Sequence, residues 1–454
     1  MYDLIIIGGG PAGYLGAERA AHSGLSTLLF EKRAVGGVCL NEGCIPSKTL
    51  LHSAKIYDYA NGYGEKYGVS VKEASLDFPA VIKRKNKVVR ALVGGIEDSL
   101  KKLKVTIVRE DAKIEGRVDG GYEVSAAGKK YQAKKLIIAA GSEPVIPPIS
   151  GIDGAVSSGF ALTSREILDL TVVPEKLVII GGGVIGLEMA SVFNSAGSKV
   201  TVVEMLPKIA GQTDVEISKI LQKNYEKKGV KFILNAKVVG FDTNSIEFEL
   251  DGKREKLSAD KVLLSIGRRA STAGLGLETI GVEMSRGAVM TDDQMKTNVP
   301  GVFAAGDVNG KSMLAHTAYR EAEVAVNIIS GKKDRMDYSA IPYVIYTNPE
   351  AAGVGETLET AKQKGFDARE VKLPMLYSGR YMAENEGGDG ISKLVVENGT
   401  NRLLGVHMLG NPASEIVAAA CLALTREIDI ESLKKVVFPH PSVSEIIREG
   451  IFKV

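Results

Sequence analysis

Twice along this chain the same rhythm of apolar and polar positions recurs. Tyr2-Asp3-Leu4-Ile5-Ile6-Ile7 is a short apolar run that ends in Gly8-Gly9-Gly10-Pro11-Ala12-Gly13. A helix-like stretch from Tyr14 to Ser23 follows, then a second apolar run, Ser26-Thr27-Leu28-Leu29-Phe30, closed by Glu31. Further on, Lys176-Leu177-Val178-Ile179-Ile180 leads into Gly181-Gly182-Gly183-Val184-Ile185-Gly186, a helical stretch to Ala196, and Ser198-Lys199-Val200-Thr201-Val202-Val203 closed by Glu204. Apolar runs that break at glycines and resume after a helix predict two βαβ units with parallel strands. In both units the acid follows the third glycine by 18 positions, a shared spacing that chance explains poorly.

Other apolar runs show how the two units are connected. Leu136-Ile137-Ile138-Ala139-Ala140-Gly141 reads as a buried strand ending in a turn, and Pro147-Pro148 marks a boundary. The second unit closes at Lys261-Val262-Leu263-Leu264-Ser265-Ile266-Gly267, after which Gly301-Val302-Phe303-Ala304-Ala305-Gly306-Asp307 repeats the strand-to-glycine pattern with an acid behind it. The simplest topology inserts the second unit within the first. From about Ile341 the text changes: alternating strands such as Ser392–Val396 and Leu403–Met408 precede an apolar helix, Ala413–Thr425, with no third glycine cluster. The expected fold class is therefore α/β, two Rossmann-like units with one inserted in the other, followed by a C-terminal α+β module for association. Expected boundaries are residues 1–147 and 267–338 for the split first unit, 148–266 for the inserted one and 339–454 for the last. Residues 94–135 read as a helix end and a hairpin without functional signal.

The glycine clusters carry the first chemistry. Gly8 permits the tight turn, Gly10 lets the backbone approach a pyrophosphate, and Gly13 lets the helix pack against its strand; Gly181, Gly183 and Gly186 do the same in the second unit. The helix N-terminus then faces the phosphates, and Glu31 and Glu204 are placed to accept hydrogen bonds from a ribose. A carboxylate at position 204 suits the 2′-hydroxyl of NAD and repels the 2′-phosphate of NADP. Met205, Leu206 and Pro207 follow without an arginine cluster, and Lys208 reads as a solvated surface side chain.

Cys39 and Cys44 add redox chemistry. They lie in Gly36-Gly37-Val38-Cys39-Leu40-Asn41-Glu42-Gly43-Cys44-Ile45-Pro46-Ser47-Lys48, close enough in sequence to open and close a disulfide. Pro46 suits the first turn of a helix, so Cys44 sits at the positive end of a dipole that favours its thiolate, with Lys48 one turn on. Reduced loop thiols, a structural crosslink and half of a zinc site remain as alternatives, the last poorly supported for want of partner ligands. Glu42 places an opposing negative charge between the thiols. Two dinucleotide units beside a dithiol suggest electrons passing between two cofactors and a disulfide. A flavin can accept them from sulfur and deliver them to nicotinamide, so FAD is assigned to the first unit and NAD to the second. Lys48 can then stabilise negative charge near either the flavin or the thiolate, or be a plain surface lysine. Asp307 reaches the ribityl or phosphate region, or is a satisfied loop carboxylate.

Composition only sets limits. Lys and Arg total 57 against 55 acids, a net charge of +2 that offers no attraction for nucleic acid or anionic lipid. Cys421 lies in an apolar stretch and reads as helix packing, so three cysteines make no disulfide scaffold. The N-terminus has no basic leader before the expected first strand, and no run of about 18 apolar residues occurs. No metal, no nucleic acid, no membrane and a cytoplasmic location are the expectations. Of five histidines only His440, in Phe438-Pro439-His440-Pro441-Ser442-Val443-Ser444-Glu445, has a special setting. Flanking prolines stiffen it, Ser442 is a candidate helix cap, and Glu445 can orient the ring as a general base requires. A structural histidine is the competing reading there, and His22, His52, His316 and His407 are read as structural.

Together the cysteine run, both glycine clusters, the Ala-Ala-Gly306-Asp307 segment and the His440-Pro441…Glu445 ending resemble the pyridine nucleotide-disulfide oxidoreductase family over essentially the whole chain. They most resemble those members that oxidise dihydrolipoamide with NAD⁺. The resemblance implies a homodimer with one FAD per subunit, Cys39 as interchange thiol, Cys44 as charge-transfer thiol, and His440 acting with Glu445 on the opposite subunit's site. It also implies that Lys48 pairs with Glu188, a residue otherwise read as an exposed helix position. FAD would be held by Gly8, Gly10, Gly13, Glu31, Lys48, Gly141 and Asp307, and NAD by Gly181, Gly183, Gly186, Glu204 and Gly267. The implied partner is a lipoylated carrier or acyltransferase of a 2-oxoacid dehydrogenase or glycine cleavage complex. Phe438, where many such members have histidine, and Ala139-Ala140-Gly141, usually a Thr-containing version, depart from the pattern. Mercuric ion reduction would favour a further cysteine pair, and residues 422–454 contain none. Glutathione-type reduction favours NADPH, an NADH oxidase needs no dithiol, and a non-catalytic flavin-binding protein would show no thiol-dependent turnover.

Overall fold

A computed structural model describes residues 1–454. The apolar runs form two central sheets because both of their faces are covered. Leu4, Ile5, Ile6, Leu28 and Leu29 are fully buried, as expected of parallel strands sandwiched by helices. In the first sheet the order is Thr106–Val108, Thr27–Phe30, Tyr2–Ile7, Lys129–Ile138, then the antiparallel pair Gly121–Ala126 and Lys113–Val118. Val302–Ala304 joins parallel to Lys129–Ile138, with Val302 opposite Leu136. The chain thus leaves the first sheet after Ile138 and returns to it at Val302, and the second unit is inserted between, as the sequence led us to expect.

The second sheet runs Lys231–Ile233, Lys199–Val203, Lys176–Ile180, Lys261–Leu264, Ala161–Leu162, all parallel, with Lys199 opposite Lys176 and Leu264 opposite Ile180. Helices Pro11–His22 and Val184–Ser195 follow the two glycine turns. Pro11 opens the first, where its missing N–H and fixed φ cost nothing. The long helix Phe78–Lys102 starts where Asp77 accepts the Ala80 N–H at 3.0 Å, and it packs against the helix that carries Cys44.

The third sheet is antiparallel: Tyr343–Ile345, Ala351–Gly355, Leu403–Leu409, Ile391–Glu397, Ala368–Pro374. Helix Ala413–Thr425 forms over the residues expected and packs on Ala351–Gly355 and Leu403–Leu409. At the junction with the second unit Lys393, 5% exposed, meets Asp214 and Glu216 at 3.0 Å and Glu370 at 3.4 Å. A buried ammonium needs such company, because an unpaired one would be expelled or neutralised. No helix is long and apolar enough to cross a membrane.

Candidate functional site

One cleft of about 1800 Å³ joins both glycine turns and both cysteines. That exceeds the roughly 300–1,000 Å³ of a site for a single drug-sized ligand, so there is room for two extended molecules. Gly8 and Gly181 turn at φ +107 and +103, a region that side chains with a Cβ avoid. A Cβ on Gly13 would lie 1.7 Å from the Gly8 carbonyl oxygen, and one on Gly186 would lie 2.2 Å from that of Gly181. Gly183 has nothing within 4 Å of such a position, and Gly10 only the Cα of Gly37 at 3.9 Å. Backbone is therefore bare where a diphosphate would approach and crowded where helix meets strand.

Each of the two equally spaced acids clasps its own turn. Glu31 accepts the N–H groups of Gly9 and Arg33, both at 2.7 Å, and Glu204 those of Gly182 at 2.6 Å and Leu206 at 2.8 Å. Lys208 is less free than expected: its ammonium donates to the Gly211 and Thr213 carbonyls, and partial burial lowers its pKa. Gly141 and Gly267 line the cleft at φ +73 and +123. Asp307 accepts the Ser142 hydroxyl at 2.5 Å, and Arg268 donates to the Ser142 hydroxyl and carbonyl, each at 2.8 Å. Neither Ser142 nor Arg268 is predictable from its neighbours; the Gly267-Arg268 ending of a buried strand was the available signal.

The cysteines ride on two short helical pieces. Helix Gly37–Glu42 carries Cys39, Gly43 breaks the direction, and Cys44 is the first residue of helix Cys44–Asp58. Gly37 is required here, since a Cβ would come within 2.6 Å of the Gly10 Cα. Both thiols are free and half-buried. Cys44 is held below the ordinary thiol range by the hydrogen bond from Cys39 and then by the Lys48 charge, against burial. Cys39 is pushed far up by its neighbour's sulfur and by burial. The pair thus reads as Cys44 thiolate beside Cys39 thiol.

Lys48 is not a plain surface lysine. Its Nζ lies 2.9 and 2.8 Å from the two Glu188 oxygens and 4.4 Å from the centre of the Tyr346 ring. Glu188 is 3% exposed and also accepts the Tyr346 N–H at 3.2 Å. The reading of Glu188 as an exposed position fails because its helix packs face-on to the cysteine helix, something no local pattern announces. The Glu42 charge is compensated as well: Arg33 lies 2.9 Å and Arg165 2.7 Å from it.

His440 and Glu445 do not line this cleft in the single chain. The His440 side chain is 81% exposed, with Nδ1 2.9 Å from Glu445 Oε1, leaving Nε2 turned outward. Ser442 does not cap the last helix through its side chain; its N–H donates to Glu445 Oε2 at 2.9 Å and its hydroxyl pairs with Ser444. The Ser442 N–H and His440 together hold the Glu445 carboxyl below its usual range. Phe438 packs against the core of the C-terminal module. Of the remaining histidines, His407 is buried between Tyr343 and the Glu356 carbonyl, while His316 lines the cleft with Nε2 at 2.8 Å from the Pro342 carbonyl.

Residues 2–322 match the pyridine nucleotide-disulphide oxidoreductase family and residues 341–451 its dimerisation domain. Over 457 aligned residues the chain is 40% identical to a mitochondrial dihydrolipoyl dehydrogenase of Pisum sativum, covering 99% of this chain and 90% of that one. It is 37% identical to a dihydrolipoyl dehydrogenase of Chlamydia pneumoniae, covering 99% and 96%. A leghemoglobin reductase of Glycine max is 38% identical, covering 99% and 86%. Among solved structures, an HOCl-induced flavoprotein disulfide reductase from Escherichia coli superposes with a TM-score of 0.87 at 28% identity over the whole of both chains.

Proposed function

The chain belongs to the pyridine nucleotide-disulphide oxidoreductase family, and on that premise we propose that it is a dihydrolipoamide dehydrogenase, oxidising protein-bound dihydrolipoamide to lipoamide and reducing NAD⁺. One observation carries the reading: a Cys39–Cys44 dithiol at a helix head shares a cleft with the Lys48–Glu188 pair and both glycine turns. The cradle fits FAD and NAD, as the family requires. Gly8, Gly10, Gly13, Glu31, Lys48, Gly141 and Asp307 would hold the first; Gly181, Gly183, Gly186, Glu204 and Gly267 the second. Bare backbone at Gly10 and Gly183 admits the diphosphates, and the clasped carboxylates of Glu31 and Glu204 present their outer lone pairs to ribose hydroxyls. When bound, FAD would supply an acceptor for the electron pair of the Cys39–Cys44 dithiol, and NAD⁺ would supply the onward hydride acceptor.

What the chain's own residues do is thiol–disulfide exchange. With Nδ1–H donated to Glu445, His440 of the partner subunit takes a proton from a dihydrolipoamide thiol at Nε2. The resulting thiolate attacks Cys39 Sγ, the Cys39–Cys44 bond breaks, and Cys44 leaves as thiolate. Helix head and Lys48 stabilise that leaving charge. The second substrate thiol then attacks the mixed disulfide at the substrate's own sulfur, its proton passing to the departing Cys39, which closes lipoamide and releases Cys39 as a thiol. The first proton stays on His440 for release to solvent, and the enzyme is left as Cys39 thiol beside Cys44 thiolate, the distribution that the raised Cys39 and lowered Cys44 pKa favour.

The dimerisation domain supports a homodimer, and it gives the outward Nε2 of His440 a destination. As partner we propose a lipoylated carrier or acyltransferase of a 2-oxoacid dehydrogenase or glycine cleavage complex. A dithiol that must stay reducible accords with a reducing compartment, and we place the protein in the cytoplasm. Assaying the purified protein with dihydrolipoamide and NAD⁺, then with glutathione disulfide and NADPH, tests the reading. NADH formation in the first assay is expected, and activity confined to the second would overturn it.

A further inference from the structure

Glu321 is a carboxylate in the wrong place for a ligand contact. It is completely buried, on helix Ala315–Ile329, and it does not line the cleft. Nor does it have an ion pair. Three donors converge on it instead: the Gly306 N–H at 2.6 Å and the Asn309 amide at 2.8 Å on Oε2, and the Tyr338 hydroxyl at 2.7 Å on Oε1. Burial raises its pKa against those three donors, so the fold keeps an acid where a neutral apolar side chain would cost less, unless the three donors need an acceptor.

Two of those donors flank Asp307. Gly306 stands at φ +81, ψ −165, a conformation essentially reserved for glycine, and a Cβ there would press on Ala12 at 3.3 Å and Ala318 at 3.4 Å. Its N–H has a fixed direction, and Glu321 receives it. Asn309, on the far side, is tied to the same oxygen. Asp307 therefore sits in a short turn pinned before and after by one buried oxygen, and only then reaches Ser142 and, through it, Arg268.

We infer that Glu321 is a positioning residue for flavin binding, holding the Gly306–Asn309 turn so that Asp307 meets the ribityl or phosphate part of FAD. This rests on the function proposed above. The measurement is the rate at which flavin fluorescence appears when full-length holoenzyme is diluted, with NADH affinity as a reference from the second unit. Glu321→Leu should release flavin about 10- to 100-fold faster, because buried donors would be left without their acceptor, with NADH affinity unchanged. Glu321→Gln can turn its oxygen to Gly306 and Asn309 and its NH₂ to the Tyr338 hydroxyl, so it should stay within about threefold of wild type. In an Asp307→Asn background, Glu321→Leu should add less than about threefold, because both changes break one device. Unchanged release in Glu321→Leu, no rescue by Gln, or full multiplication with Asp307→Asn would each overturn the inference. Should Glu321→Leu not fold, Asn309→Ala takes its place, with faster release expected and unchanged release sinking the idea. Wild-type protein isolated without flavin would sink the proposed function along with it.

Discussion

The two glycine-turn units are built alike and roofed differently. Turn conformations, helix-to-strand contact and the glutamate clasp agree nearly atom for atom. Around the first, however, the chain folds in from afar: Gly37 lies on Gly10, and Ser142, Arg268 and Asp307 close the side. Glu31 is buried. Around the second, Glu204 is only half-buried and its neighbours Met205 and Leu206 are 63% and 49% exposed. On the proposed assignment the enclosed unit retains its dinucleotide between turnovers and the open one exchanges it. Residence is decided by what tertiary structure lays over a shared local motif.

Changes aimed at one unit should leave the other's property standing. Cys39→Ser removes the nucleophile beside the enclosed site and should cut dihydrolipoamide oxidation by more than about 10³-fold, while the purified protein stays yellow. Surviving turnover would break the disulfide mechanism. His440→Ala should slow the same reaction about 10² to 10⁴-fold yet leave NADH-driven dye reduction nearly intact; equal loss of both would remove His440 from proton transfer. Glycine substitutions sharpen the contrast itself. Gly13→Ala should yield protein depleted of flavin, whereas Gly186→Ala should keep its flavin and raise the KM for NADH about tenfold or more, overpacking of this kind costing about 1–3 kcal/mol. Both variants losing flavin equally would mean the units are not independent. Glu204→Gln should raise the KM for NADH by a smaller factor and narrow the preference over NADPH; wild type with a higher kcat/KM for NADPH would contradict the coenzyme assignment.

A last, smaller effect concerns pH. The Cys44 pKa is depressed, so its thiolate, followed by ultraviolet absorbance of the reduced protein, should persist below the ordinary thiol range and vanish only as pH falls through the lowered value. Lys48→Gln removes one stabilising charge and should move that loss to higher pH. No movement would assign the depression to Cys39 and the helix head alone.

Most of the architecture was legible because it is written locally. Apolar runs, glycines at fixed spacing, and the helix Ala413–Thr425 depend on neighbours a few residues apart. What escaped was set by residues far apart in sequence. Glu188 meets Lys48 across 140 positions, a pairing that only the family resemblance supplied, and Asp307 meets Ser142 across 165; neither side of such a pair marks its partner locally. Glu42 looked like an uncompensated charge because Arg165 arrives from the start of another unit. Ser442 looked like a cap because the residue type fits, but Glu445 satisfied the backbone from the other direction.

The glutamate clasp has a kinetic corollary. With two amides already fastened to each carboxylate, no rotamer search remains when a sugar arrives, and the anion's orientation is inherited from the folded chain. On the proposed assignment a visiting coenzyme would meet a finished receptor, and a phosphorylated ribose would be rejected on first touch and without rearrangement of the loop.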